Sequence, residues 1–175
     1  MKECTIEITQ YCPYECSYCS SNASITGKHM PFWQIETIIA NLEPDIRINI
    51  SGGEPLSHPD FWAILQLCKE KSRDVWVYTN ALEQIRYNTD IVKEIDCQAN
   101  VCLVPGEYAY IPKKASKVHL LQLIPQGRAI NCQPANISVS GNLKDCQDCE
   151  GCDHIVYQAD GQVVGAPCKK RYAGE

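Results

Sequence analysis

The chain has 175 residues, 45% of them hydrophobic, which suffices for one domain with a buried core but not for two full-sized domains. The 16 Lys and Arg residues against 21 Asp and Glu residues give a net charge of −5, which disfavours sequence-independent nucleic-acid binding, since that needs a positive surface. No apolar run approaches the ~20 residues needed to cross a bilayer, and the first residues lack the apolar region of a signal peptide. We therefore expect a cytoplasmic protein that binds neither nucleic acid nor membranes.

Strands and helices are predicted to alternate along the chain as far as residue 124. Apolar runs or period-two alternation predict strands at residues 4–9, 46–50, 75–78, 101–104 and 118–124. Helices are predicted at residues 33–42 and 85–95, with another that begins at His58-Pro59-Asp60. The buried side of that helix is expected to hold Phe61, Trp62, Ile64, Leu65 and Cys68. A short strand pair is predicted around residues 155–157 and 162–164.

Strands that alternate with helices predict βα units and a parallel sheet, so we expect an α/β fold. In such folds the functional residues follow the carboxyl ends of the strands. Three unusual loops stand at these positions: residues 12–19, 52–55 and 79–80. We therefore expect these three loops to form the functional site.

Cysteine is the outlier of the composition, with 12 of 175 residues. A secreted disulfide scaffold would also be rich in cysteine. However, this chain is long enough to fold without disulfides and lacks a signal peptide. Clustered cysteines in a cytosolic protein more often bind metal, so we expect their spacing to identify metal sites.

Three cysteines follow the first predicted strand, Cys12, Cys16 and Cys19, with the spacing C-x3-C-x2-C. Three thiolates on so short a loop can bind one metal centre, and no further cysteine follows before Cys68. The motif favours a [4Fe–4S] cluster with one iron open to an exogenous ligand. A zinc site completed by a remote cysteine or by His29 is the alternative.

A second motif, Ser51-Gly52-Gly53-Glu54-Pro55, follows the second predicted strand. Two glycines at a strand end allow a ligand to approach the backbone closely, and the carboxylate of Glu54 can accept hydrogen bonds from an amino group. Alone, the motif also fits an ordinary strand-to-helix turn. Its position one βα unit after the cysteine loop favours ligand binding.

Together the two motifs resemble those of the radical S-adenosylmethionine (SAM) enzymes. The resemblance rests on Cys12-Pro-Tyr-Glu-Cys16-Ser-Tyr-Cys19, on Ser51-Gly-Gly-Glu-Pro55, and on Val77-Tyr-Thr-Asn80, which is similar to a Thr-Asn turn of the family. It extends from residue 3 to about residue 82. It implies that Cys12, Cys16 and Cys19 ligate a [4Fe–4S] cluster whose open iron binds SAM.

The resemblance also implies roles for five residues around SAM. Glu54, with the backbone of Gly52 and Gly53, would hold the amino group of SAM, Tyr18 would lie beside the adenine, and Asn80 would line the pocket. The implied activity is reductive cleavage of SAM to a 5′-deoxyadenosyl radical, which abstracts hydrogen from a substrate. A ferredoxin or flavodoxin is the electron donor implied by the resemblance.

A third group of cysteines lies near the C-terminus: Cys132, Cys146, Cys149, Cys152 and Cys168. Their spacing alone does not separate zinc from iron–sulfur. With the Asp160-Gly161 turn and the returning Pro167-Cys168, the pattern resembles the auxiliary-cluster extensions called SPASM and twitch. The resemblance implies an auxiliary [4Fe–4S] cluster on Cys149, Cys152 and Cys168, with Cys146 or Cys132 as the fourth ligand, and a twitch-like half fits the length better than a full SPASM domain.

The barrel of this family has six βα units, whereas five predicted strands precede the C-terminal cysteines. We therefore expect a shortened, open partial (β/α)6 TIM-like barrel of about five parallel strands in residues 1–130. A small cysteine-rich extension is expected in residues 131–175. Arg128, which follows the fifth strand, is a candidate partner for a carboxylate of SAM or substrate.

The sequence thus predicts a radical SAM enzyme. An open barrel leaves room for a polypeptide, which favours a peptide or protein substrate. Radical chemistry on a small molecule and activation of a glycyl-radical protein are alternatives within the same class. A non-catalytic iron–sulfur or zinc protein for electron transfer is an alternative of another class, and it leaves Glu54 without a role.

Overall fold

The computed structural model describes residues 3–19, 21–79, 98–102, 117–121, 127–131 and 153–165. In chain order the elements are β1 (Glu3–Thr9), α1 (Phe32–Asn41), β2 (Arg47–Gly52), α2 (Phe61–Lys71), β3 (Val75–Val77), β4 (Gln98–Cys102), β5 (Lys117–Leu121), β6 (Ile155–Tyr157) and β7 (Val163–Gly165), with 3-10 helices at Pro55–Ser57 and Gly127–Asn131. The described residues fall into two units. The first contains residues 3–15, 23–79 and 153–165, and the second contains residues 16–19, 21–22, 98–102, 117–121 and 127–131.

The first unit is built on a five-stranded sheet with the order β3-β2-β1-β6-β7. β1 pairs in parallel with β2 on one side and with β6 on the other, and β2 pairs in parallel with β3. β7 returns antiparallel to β6 through a turn at Gly161, whose φ of 90° favours glycine. Within the described residues the sheet is open, with β3 and β7 at its edges. The predicted α/β class with an open, mostly parallel sheet is confirmed.

One face of this sheet is apolar and is covered by helix. Cys4 and Ile6 of β1 are fully buried, and so are Ile48 and Ile50 of β2, which the strand register places beside them. Cys68 of helix α2 is fully buried as well. The period-two alternation of β1 therefore separates a buried face from the face opposite.

The opposite face of β1 and β2 is polar. Thr5 lies beside Asn49 in the register, and Asn49 Nδ2 donates to Thr5 Oγ1 (3.2 Å) and to a carboxylate oxygen of Glu3. Asn49 is 1% exposed, and its Oδ1 has no hydrogen-bond partner among the described residues. In an α/β barrel the helices cover the outside, so this polar face corresponds to the interior of the partial barrel.

The second unit contains β4 and β5, which pair in parallel from Gln98 beside Lys117 to Cys102 beside Leu121. The fourth and fifth predicted strands are thus confirmed over residues 101–102 and 118–121, although β4 begins at residue 98 and β5 at residue 117. Residues 103–104 and 122–124 of these predictions lie outside the described residues. The predicted helix at 85–95 lies outside the described residues. No helix in the described part of the chain has both the length and the apolar character that a membrane span requires.

The predicted elements of the first unit are confirmed, with bounds that differ from the predicted ones by at most three residues. β1 begins at Glu3, α1 spans Phe32–Asn41, β2 spans Arg47–Gly52, α2 begins at Phe61, β3 ends at Val77, and β7 spans Val163–Gly165. The prediction that Trp62 lies on the buried side of α2 is wrong, because its side chain is 46% exposed. The buried residues of α2 are Phe61, Ile64, Leu65 and Cys68, which follow the i, i+3, i+4, i+7 pattern of one helix face. Trp62 is about 100° around the helix from Phe61, and its ring packs edge-on against that ring from outside.

The segment that precedes α1 runs so close to the end of β1 that Gly27 has no room for a side chain. A Cβ on Gly27 would overlap the backbone carbonyl of Gln10. We predict that Gly27→Ala lowers the free energy of unfolding by about 1–3 kcal/mol, the usual cost of overpacking a filled site.

Gly165→Ala is the matched control, because a Cβ on Gly165 meets no atom within 4 Å. This change should alter the free energy of unfolding by less than about 0.5 kcal/mol. Urea unfolding of the reduced protein measures both variants. Equal stability of the two would contradict the close approach of Gly27 to β1.

Candidate functional site

The segment that leaves β1, residues 9–12, is hydrogen-bonded to the chain that precedes α1. Gln10 N donates to Lys28 O (2.8 Å), Ser24 N donates to Gln10 O (3.2 Å), and Cys12 N donates to Ser24 O (2.9 Å). The main chain of Cys12, the first cysteine of the predicted cluster loop, is therefore fixed by its own hydrogen bond to Ser24 O and by the bonds of the neighbouring Gln10.

The other side of the same segment is bound by the glycine motif. Gly53 N donates to Thr9 O (2.7 Å), and Glu54 N donates to Tyr11 O (2.9 Å). Gly52 has a φ of 129°, and a Cβ on Gly52 or Gly53 would overlap the carbonyl oxygen of Thr9 or Tyr11 respectively. The two glycines therefore allow the end of β1 to approach the backbone that follows β2. This reason for glycine at residues 52 and 53 cannot be read from the sequence motif. Their predicted contact with a ligand stays a prediction.

Glu54 is buried, with 1% of its surface exposed, and its carboxylate connects two strand ends. Its Oε1 accepts a hydrogen bond from Leu56 N (3.0 Å), which caps the 3-10 helix Pro55–Ser57, and another from Thr79 Oγ1 (2.7 Å). Thr79 follows β3, and Glu54 follows β2. Hydrogen bonds therefore join Glu54, which follows β2, to Tyr11 after β1 and to Thr79 after β3. That the loops 12–19, 52–55 and 79–80 form the functional site stays a prediction.

Thr9 and His29 support the end of β1. Thr9 is fully buried, and its Oγ1 accepts from Tyr11 N (2.9 Å) and lies 2.9 Å from His29 Nδ1. The ring of His29 packs edge-on against His58, with 5.0 Å between centroids. Burial, followed by the neighbouring His58, lowers the pKa of His29, although Asp60 opposes this shift. The neutral ring is the form whose Nδ1 can accept the proton of the Thr9 hydroxyl.

No signal in the sequence links Thr9 with His29, because the two are 20 positions apart and share no motif. The sequence analysis considered His29 only as a possible zinc ligand. Here its Nδ1 is used to orient Thr9.

The other two cysteines of the first motif belong to the second unit. Cys19 N donates to Cys16 O (3.2 Å), which closes the turn between them, and Tyr18 is half-buried within it. Among the described side chains, no group of three or more His, Cys, Asp or Glu residues is arranged to hold a metal ion. The assignment of Cys12, Cys16 and Cys19 as ligands, and of Tyr18 as an adenine contact, therefore stays a prediction from the sequence.

Arg128 binds the same turn at two points. Its backbone N donates to Cys19 O (3.0 Å), and its side-chain Nε donates to Cys16 O (2.9 Å). A carboxylate of SAM or substrate as a partner of Arg128 stays a prediction from the sequence. The hydrogen bonds to the cysteine turn could not have been found from the sequence, because 112 positions separate Arg128 from Cys16.

Burial divides the five cysteines whose side chains the structure describes into two kinds, all of them thiols rather than disulfides. Cys4 and Cys68 have no exposed surface, and burial raises the pKa of each thiol to about 12. Cys12, Cys16 and Cys19 are partly exposed. Iron is bound by thiolates, so the exposed set has the chemistry that a cluster requires and the buried pair does not. Three accessible thiols on one short loop fit a [4Fe–4S] cluster with three protein ligands.

The remaining predicted site residues lie outside the described residues. They are Asn80 and the C-terminal cysteines Cys132, Cys146, Cys149, Cys152 and Cys168. Their roles stay predictions.

This division predicts different thiol reactivities in the reduced, metal-free protein. Raising a thiol pKa from 9.0 to about 12 lowers the thiolate fraction at pH 8 about a thousandfold, and the thiolate is the nucleophile. Iodoacetamide should therefore label Cys12, Cys16 and Cys19 long before Cys4 or Cys68, as measured by peptide mass spectrometry. In urea all five should react; native labelling of Cys68 as fast as that of Cys16 would contradict its burial.

Comparison with known proteins agrees with these motifs. The family model of the Radical SAM superfamily matches residues 6–115, more than half of the chain. Over 81 residues the chain is 32% identical to the PqqA peptide cyclase of Bradyrhizobium diazoefficiens, an alignment that covers 44% of this chain and 20% of that protein. The chain thus spans about a fifth of the length of the curated relative that it matches. By the family match, this chain belongs to the radical SAM superfamily.

Proposed function

We propose that this chain carries the SAM-cleaving centre of a radical SAM enzyme. Cys12, Cys16 and Cys19 would hold a [4Fe–4S] cluster, and SAM would bind at its open iron. The chemistry that cluster and SAM supply when bound is reductive cleavage of SAM to methionine and a 5′-deoxyadenosyl radical that abstracts hydrogen from the substrate. The protein binds, orients and shields these groups.

The observation that carries this proposal is the hydrogen bond from Glu54 N to Tyr11 O, at 2.9 Å. It joins the glycine-glutamate motif directly to the residue that precedes Cys12. Glu54 is also a buried carboxylate whose Oε1 is oriented by two donors, Leu56 N and Thr79 Oγ1. A buried, oriented carboxylate is suited to bind an ammonium group, and SAM carries one.

The remaining contacts to SAM are proposed from the family motif. The backbone of Gly52 and Gly53 would bind the amino group of SAM together with Glu54. Tyr18 would lie beside the adenine, and Asn80 would line the pocket. A ferredoxin or flavodoxin would supply the electron.

A peptide or protein is the substrate that we propose. The support is that the matched relative is named a peptide cyclase, together with the open edge of the sheet within the described residues. An auxiliary [4Fe–4S] cluster on Cys149, Cys152 and Cys168, with Cys146 or Cys132, is proposed on the spacing of these cysteines.

The direct test is anaerobic reconstitution with iron and sulfide, followed by addition of dithionite and SAM. The proposal expects formation of 5′-deoxyadenosine by the wild-type protein. A reconstituted protein that holds the first cluster but forms no 5′-deoxyadenosine would show that it is an iron–sulfur protein without this activity.

Replacing a proposed ligand should remove one cluster. We predict that Cys16→Ala lowers the iron content from about eight to about four atoms per chain, since each [4Fe–4S] cluster holds four. Cys68→Ala is the matched control, because that thiol is fully buried in α2, and its iron content should equal that of the wild type. Loss of one zinc from the Cys16 variant, instead of four irons, would mean that the first motif is a zinc site.

Replacing Glu54 should weaken SAM binding without unfolding the protein. In Glu54→Gln the amide keeps an oxygen that accepts from Leu56 N and Thr79 Oγ1, but the negative charge is lost. We predict an increase in the Kd for SAM of about 10- to 100-fold, because hydrogen bonds to charged groups contribute about 1.5–3 kcal/mol.

Calorimetric titration of the reconstituted protein with SAM measures this effect. Glu36→Gln on the exposed side of α1 removes the same charge elsewhere and should leave the Kd unchanged. Wild-type affinity in the Glu54 variant would exclude Glu54 from the SAM site.

A further inference from the structure

Arg128 is the long-range anchor of the turn that carries Cys16 and Cys19. It lies in the 3-10 helix Gly127–Asn131, in the same unit as the turn. Its Nε donates to Cys16 O at 2.9 Å, and its backbone N donates to Cys19 O at 3.0 Å. One residue thus binds the main chain of both cysteines.

Both contacts are made to carbonyl oxygens of the turn. A carbonyl oxygen has two lone pairs, and Cys16 O accepts from both Cys19 N and Arg128 Nε. The bond from the guanidinium is charge-assisted, which makes it stronger than a neutral hydrogen bond. Because this bond holds the main chain of the turn, it limits the positions that the thiols of Cys16 and Cys19 can take.

We propose that Arg128 is a positioning residue for the cluster ligands Cys16 and Cys19. This role rests on the proposed function, which makes these cysteines ligands. Groups that orient the ligands of a metal without binding the metal themselves commonly control metal affinity and the electronic properties of the site. Arg128 acts on the backbone that carries the thiolates, so its loss should loosen the cluster and alter its spectrum.

Two substitutions separate the hydrogen bond from the charge. Gln places an amide nitrogen at the position of the arginine Nε, counted along the side chain, whereas Met places a methyl group there. Both Arg128→Gln and Arg128→Met lose the positive charge, but only the Gln variant keeps a donor for Cys16 O. Arg73→Met, at an exposed position between α2 and β3, is the control for loss of an arginine elsewhere.

The experiment uses the full chain, reconstituted anaerobically, and measures iron release to a ferrous chelator. The kinetic phase that is absent in Cys16→Ala identifies the first cluster. We expect this phase to be about tenfold faster in Arg128→Met, within about threefold of wild type in Arg128→Gln, and unchanged in Arg73→Met. The electron paramagnetic resonance spectrum of the dithionite-reduced cluster should change in the Met variant and be restored in the Gln variant.

Equal release rates and spectra in wild type and Arg128→Met would overturn the proposal, and so would equally fast release from the Met and Gln variants. A wild-type protein without any Cys16-dependent phase would instead refute the cluster assignment itself.

A measurement on the wild-type protein covers the case in which the Met variant does not fold. The Arg128 amide donates to Cys19 O, so removing the cluster should speed hydrogen exchange in residues 127–131. Equal hydrogen-exchange rates in residues 127–131 with and without the cluster would overturn the proposal that Arg128 supports the cluster ligands.

Discussion

The backbone hydrogen bonds of residues 9–12 are the constraint on which the site of the first unit depends. Thr9 O and Tyr11 O accept from Gly53 N and Glu54 N, while Cys12 N donates to the chain on the opposite side. The end of β1 therefore sets the positions of the first cysteine and of the glutamate together. Main-chain bonds of this kind place little demand on side chains, except at residues 27, 52 and 53, where any Cβ would overlap a carbonyl of residues 9–11.

The same sheet decides which cysteines are available for chemistry. Cys4 lies on the apolar face of β1, and Cys68 lies on the buried stripe of α2, so both remain protonated thiols that pack as small apolar groups. The cysteines that follow β1 are not buried on this face, because they lie in a loop, where side chains retain contact with solvent. Cysteine, with 12 of 175 residues, thus takes two physical roles, which strand periodicity and helix periodicity separate.

Much of the fold could be predicted from local pattern. Alternation over residues 4–9 and the apolar stripe of α2 predict elements that the structure confirms, because both periods follow from backbone geometry. The prediction failed for Trp62, whose apolar character suggested burial although its angle on the helix turns it outward. The prediction was incomplete for Gly52 and Gly53, whose motif suggests room for a ligand. In the structure the end of β1 also approaches these residues, and a five-residue motif contains no information about that approach.

The cysteine loop and the glycine-glutamate turn are recognisable without coordinates, because each is short and its residue types have few other uses in combination. Their supports are not recognisable in that way. Arg128 reaches Cys16 across 112 positions, and Thr9 meets His29 across 20. Such pairs form only when strands and loops pack, since a hydrogen bond depends on distance and angle in space, and neither can be calculated from separation along the chain. Local sequence therefore specifies the chemistry of the site, and tertiary packing selects the residues that hold it in place.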